Sequence, residues 1–204
     1  MSDPPAANET ARIEAFSDGV FAIAITLLIL EIRVPPSAEY AGLARALAHL
    51  WPSFLAFLAS FMTIGVMWIN HHRLFTLIKK SDYGLIAWNL LLLLGVTFVP
   101  FPTALLAEHL RGEGQEVAGV LYAGTFLYLA IIFNLMWRYT VKMTLCAEHL
   151  DVASITKQYA LGPIMYLLLV AVAYWSGTAG LVFSTLYAVY FALPPRLWQR
   201  KKAA

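Results

Sequence analysis

The chain has 204 residues, 60% of them hydrophobic and only 13% charged, with a mean hydropathy of +0.69. Soluble domains carry about 25% charged residues, so this composition excludes one and describes an integral membrane protein. A net charge of +2 without a basic tract gives no footing for a nucleic-acid partner, and a single cysteine, Cys146, excludes an intramolecular disulfide or a cysteine metal cluster.

Residues 1 to 11 hold Asp3 and Glu9 but no Lys or Arg, the wrong charge for a cleaved signal peptide, so the first apolar segment is expected to remain. A spanning helix needs about 20 mostly apolar residues. The first such stretch covers 12–34 and is stopped by Pro35 and Pro36. The second covers 42–72, uncharged from Leu50 to Ile69, and the third 82–108, with Pro100 and Pro102 expected to bend its outer end. The fourth covers 116–143. From Gln158 to Leu193 there is no Asp, Glu, Lys or Arg. As one helix that stretch would be about 54 Å long, nearly twice the hydrocarbon thickness, so it divides. The run from Ser176 to Gly180 supplies a tight turn, leaving helices at 157–176 and 178–193. The expected fold is an all-α membrane protein of six transmembrane helices in a single domain.

Charge placement orients it. With a cytoplasmic N-terminus, the inner segments hold Arg12, Arg73, Lys79, Lys80, Arg138, Lys142, Lys157, Arg196, Arg200, Lys201 and Lys202, leaving only Arg33, Arg45 and Arg111 outside. The positive-inside rule therefore expects both termini in the cytoplasm.

On a helical wheel of the first helix, Arg12, Phe16, Gly19, Thr26, Leu27, Leu30 and Val34 fall within about 60° of Ile23, whereas Asp18 lies about 140° away. One face is thus an apolar ladder with a single hydroxyl, opened by Gly19. Such a ladder packs on lipid or another helix, or lines a pore. The carboxylate on another face is costly inside a membrane and needs partners at its own depth. The second helix brings Trp68, Asn70, His71 and His72 to the same end, and the third brings Asn89. Lipid offers no hydrogen bonds, so these groups are expected to satisfy one another, with Asp18 and Ser17 bolting the first helix to the second and third. Whether His71 and His72 both join that layer, or one lies at the headgroups, is open. Adjacent helical histidines diverge by about 100° and no carboxylate or cysteine pattern completes a set, so no bound metal is expected. Asn134 in the fourth helix is expected to bridge helices.

The motif Arg12-x-x-x-Phe16-Ser17-Asp18, followed by an apolar run through Ile23, Thr26, Leu27 and Leu30 to Glu31, resembles the signature of the bacterial relatives of transmembrane protein 175, the lysosomal potassium channel. Trp68-x-x-His71-His72 and Asn89 followed by five leucines are similar to that family as well. The resemblance implies a homotetrameric potassium channel of the bacterial plasma membrane, with the first helix of each subunit around a central pore. Animal members carry two such repeats per chain and work as dimers; this chain has one, so four copies would be needed. By resemblance, Ile23, Leu27 and Leu30 match the apolar layers of the pore, and Thr26 a threonine linked to selectivity. Arg12, Phe16, Ser17 and Asp18 match a hydrogen-bond network with Trp68, His71, His72 and Asn89. The resemblance implies no cofactor beyond the permeant potassium ion, and no enzyme activity. The competing reading from the residues is a proton-coupled carrier using Asp18, His71 and His72 as a relay. A membrane-embedded enzyme lacks a nucleophile-base pair or complete metal set.

Overall fold

The computed structural model describes residues 10–33, 42–147 and 150–192, and these are helical almost throughout. Helix α1, Ala11–Leu27, runs into a 3-10 turn at Leu28–Glu31. A short α2, Leu43–His49, precedes the long α3, Trp51–Leu77. Helices α4, Tyr83–Phe98, and α5, Pro100–His109, follow end to end. Then come α6, Gln115–Lys142, α7, Val152–Trp175, and α8, Gly177–Ala192. Among the described residues, five helical stretches are long and apolar enough to cross a membrane: Ala11–Glu31, Trp51–Leu77, Tyr83–His109, Gln115–Lys142 and Val152–Trp175, with α8 apolar but shorter.

The boundaries differ from the sequence-based spans where backbone chemistry intervenes. The stretch 42–72 is broken at Leu50, because Pro52 has no N–H to continue the ladder, and α3 then runs five residues past His72. The bend expected at the outer end of 82–108 falls at Val99, before Pro100, for the same reason. The fifth helix begins at Val152 rather than 157, since Asp151 caps it by accepting the Ser154 N–H at 3.1 Å. The turn expected over Ser176–Gly180 shrinks to Ser176, whose hydroxyl accepts the Ala179 N–H at 3.2 Å while helix resumes at Gly177. Val34 and Leu193, the expected ends of the first and last spans, lie outside the described residues.

Helix α6 is the most buried of the five long helices and packs on α4, α5, α7 and α8. Its Tyr122, Phe126, Phe133 and Trp137 form an aromatic spine, met edge-on by Tyr159 of α7 at Phe133 and Trp137. Hydroxyls tie α3 to α5 through Ser60 and Thr103, 2.8 Å apart. Helix α1 sits at the margin and packs on α3 and α4.

The loops sort by side. The α3–α4 and α6–α7 loops are stitched together by backbone hydrogen bonds, Lys79 N to Leu145 O and Ala147 N to Leu77 O, each 2.8 Å. That end carries Arg73, Lys79, Lys80, Arg138, Lys142 and Lys157. The far end gathers Arg111, stacked 4.9 Å over Trp51 and bonded to His49, and an exposed Arg33–Glu108 pair at 4.0 Å.

Helices α6, α7 and α8 approach through small residues. A Cβ at Gly119 would come within 2.9 Å of the Gly177 Cα, one at Gly180 within 2.9 Å of the Ala173 Cβ, and one at Gly177 would overlap the Gln115 carbonyl. Only backbone fits in these gaps. Gly177→Ala is expected to destabilise the protein by about 1–3 kcal/mol through overpacking, read as a lowered Tm in detergent. A Tm equal to that of the parent would show the α6–α8 approach to be slack.

Candidate functional site

Helix α1 is held by one face and open on the other. Ser17, Phe21, Ala24 and Leu28 are buried. Arg12, Phe16, Gly19, Ile23, Thr26, Leu27 and Leu30 are all exposed, with Ile23 59% and Leu30 68% accessible, and a Cβ at Gly19 would meet nothing within 4 Å. The apolar ladder read from the wheel is thus wholly unpartnered within the subunit. In the 3-10 turn, residues three apart eclipse, so Leu30 stacks beneath Leu27 rather than drifting round the helix. The Thr26 hydroxyl donates to the Ile23 carbonyl at 2.9 Å, which leaves its lone pairs facing outward.

The buried face carries a chain of hydrogen bonds through three helices. The Ser17 hydroxyl donates to the Ile13 carbonyl at 2.7 Å and accepts the Asn89 amide N–H at 2.9 Å. The Asn89 oxygen lies 2.9 Å from His71 Nε2, so that nitrogen carries the proton and donates. All three side chains are buried. The imidazole is clamped between Phe75, ring centroids 4.5 Å apart, and Phe21, 5.4 Å apart.

Asp18 stands outside this chain. It is exposed and accepts the Trp68 indole N–H at 2.8 Å, and His72, also exposed, stacks on Trp68 at 6.3 Å. The single bolt expected from the sequence is therefore two contacts: a buried one through Ser17, Asn89 and His71, and an exposed one through Asp18 and Trp68. Neither histidine is hydrogen-bonded to Asp18. The physical reason is angular: Ser17 is one residue and about 100° from Asp18, and it is Ser17 that shares a face with Phe21, Ala24 and Leu28. Arg12 and Phe16 are exposed and take no part in either contact. Asn134, expected to bridge helices, instead accepts from Arg138 Nε one turn along its own helix at 2.7 Å. Glu31 pairs with neither Arg33 nor Arg45; Arg33 faces Glu108.

A family profile described as the endosomal/lysosomal potassium channel TMEM175 matches residues 12–100, which carry α1, both contacts and their partners on α3 and α4. A potassium channel of Chamaesiphon minutus is 50% identical over 199 residues, covering 95% of this chain and 98% of that one. The chain belongs to the TMEM175 family. A second relative, a potassium channel of Streptomyces collinus, is 42% identical over 90% of this TMEM175 family member and 92% of its own length. The crystal structure of a lysosomal potassium-selective channel TMEM175 homolog from Chamaesiphon minutus superposes with a TM-score of 0.83 at 51% identity, covering 91% of this chain and 97% of that one.

The two contacts differ in what their loss costs. Asn89→Leu leaves the His71 Nε2–H without an acceptor in an apolar site and breaks the link to Ser17, and is expected to destabilise the subunit by about 1–3 kcal/mol. Asp18→Ala leaves an exposed indole that other groups can satisfy, so its effect on Tm in detergent should be clearly smaller. Equal losses would mean the exposed contact holds the subunit together as much as the buried one.

Proposed function

We propose that this protein is one subunit of a potassium-selective channel of a bacterial plasma membrane, in which four copies set α1 around a central pore and both termini lie in the cytoplasm. The observation that carries the reading is the open face of α1. A helix that is anchored by a buried polar chain yet leaves Ile23, Thr26, Leu27 and Leu30 uncovered has a surface that only assembly or lipid can cover. The exposed arc of α1 spans about half its circumference, from Leu27 round to Asp18, which is more than a pore wall alone requires. The Ile23 side lines the pore and the Asp18–Trp68 side meets the neighbouring subunit. Membership of the TMEM175 family, with relatives named potassium channels at 50% and 42% identity, supports the ion.

In this arrangement Ile23, Leu27 and Leu30 of four subunits form stacked apolar rings. Such rings close by dewetting when narrow, and when open they make an ion shed part of its water. Potassium gives up hydration more readily than sodium, which favours it without a carbonyl filter. Thr26 adds a ring of oxygens whose hydrogens are already donated to backbone, and hence a ring of acceptors suited to a cation. The relay required by a proton-coupled carrier finds no support in the bonding, because Asp18 and His71 belong to separate contacts.

Flux from liposomes tests this reading. Ile23→Asn or Leu27→Ala should raise potassium conductance or weaken discrimination against sodium, and Thr26→Ala should lower selectivity with little loss of expression. Uncoupled, voltage-following flux identifies a channel, whereas flux that requires a proton gradient identifies a carrier. Unchanged currents in both ring variants would move the constriction off α1.

A further inference from the structure

Between α3 and α7, over α6, lies a cavity of about 130 Å³ that neither the pore face nor the α1 contacts use. Its α3 wall is the stripe Thr63, Met67, Asn70 and Arg73, spanning about 15 Å along the helix. The opposite wall is Gln158, Leu161 and Tyr166 of α7, with Phe133 of α6 behind. Because α7 starts at the end where α3 finishes, Gln158 sits level with Asn70 and Arg73, and Tyr166 level with Thr63. One end of the cavity is therefore a mouth of a guanidinium and two amides, and the rest is apolar and aromatic.

The charges around the mouth are unbalanced. The carboxylates described at this end of the bundle are each held by uncharged donors: Glu14 by the Thr10 hydroxyl, Asp18 by Trp68, Asp82 by Tyr139 and the Leu85 N–H, and Asp151 by the Ser154 N–H. Arg73 is exposed and has no ion pair among the described residues, and Lys79, Lys80, Arg138, Lys142 and Lys157 share its end. Helix α7 presents exposed Leu161 at the cavity and, further along the same face, exposed Ile164 and Leu168, a face suited to lipid. A cavity of this size holds a group of about six carbons, enough for the start of one acyl chain while the remainder stays in the bilayer.

We propose that this cavity binds an anionic phospholipid, with its phosphate in the fork of Arg73 flanked by the Asn70 and Gln158 amides and one chain against Met67, Phe133, Leu161 and Tyr166. Arginine suits the phosphate because its planar donors match two oxygens at once, and basic clefts between membrane helices on the positive side favour anionic headgroups. The proposal needs no pore and stands or falls apart from the channel reading.

Delipidated full-length protein titrated with phosphatidylglycerol or phosphatidylcholine of the same chains, with occupancy read by native mass spectrometry, tests it. Phosphatidylglycerol should bind preferentially, and Arg73→Gln should weaken it about tenfold through loss of a charge-assisted contact. Lys79→Gln, which alters a basic residue outside the cavity, should change it far less. Gly162→Leu, at a position where a Cβ meets only the Ala130 Cβ at 3.8 Å, should fill the chain slot and reduce binding of both lipids. Glycerol phosphate alone should not compete, since it lacks the chain. Equal binding of the two lipids, equal losses in the Arg73 and Lys79 variants, or displacement by glycerol phosphate would each overturn the proposal. If the Arg73 variant does not fold, Gln158→Leu, on the surface of α7, removes a mouth amide and carries the same expectation.

Discussion

The attachment of α1 depends on satisfying polar groups where no solvent can help. Ser17, Asn89 and His71 form a chain whose two links, Asn89 to Ser17 and His71 to Asn89, each join different helices, and two phenylalanines shield it. A hydrophobic face alone would not fix the rotation of α1 in a membrane, because lipid tails are as apolar as the helix surface they would replace. The hydroxyl-amide-imidazole chain does fix it. With Ser17 turned inward, the Ile23 side has no choice but to face out of the subunit.

Much of this was legible from residues. Charge-free runs of sufficient length marked the spans, and the wheel of α1 separated the open ladder from the rest before any coordinates. What escaped was local. Pro52 sits inside an uninterrupted apolar stretch, so hydropathy alone passes over the break that its missing N–H imposes, whereas the bend at Pro100 was expected. Asp151 signalled an earlier start for α7, but the absence of charge beyond Lys157 drew the boundary later than the cap did.

The reading of the α1 motif turned on a similar misplaced emphasis. A carboxylate is the loudest group in a membrane helix, so it drew the structural role to itself. The structure gives the buried part to the serine beside it and leaves Asp18 and Trp68 as an exposed pair on the subunit's flank. Burying a hydroxyl with two bonds is far cheaper than burying an ionised carboxylate with one, so the assignment follows from desolvation.

The 3-10 turn at Leu28–Glu31 has a mechanical corollary. Rewinding it to α geometry would turn Leu30 by about 60° relative to Leu27 and draw the end of the segment in by about 2 Å, with the rest of α1 at rest. In the proposed pore, Leu30 would thereby be mounted on a torsion joint. A twist confined to four residues would move that side chain while the serine clasp a few turns below stayed closed.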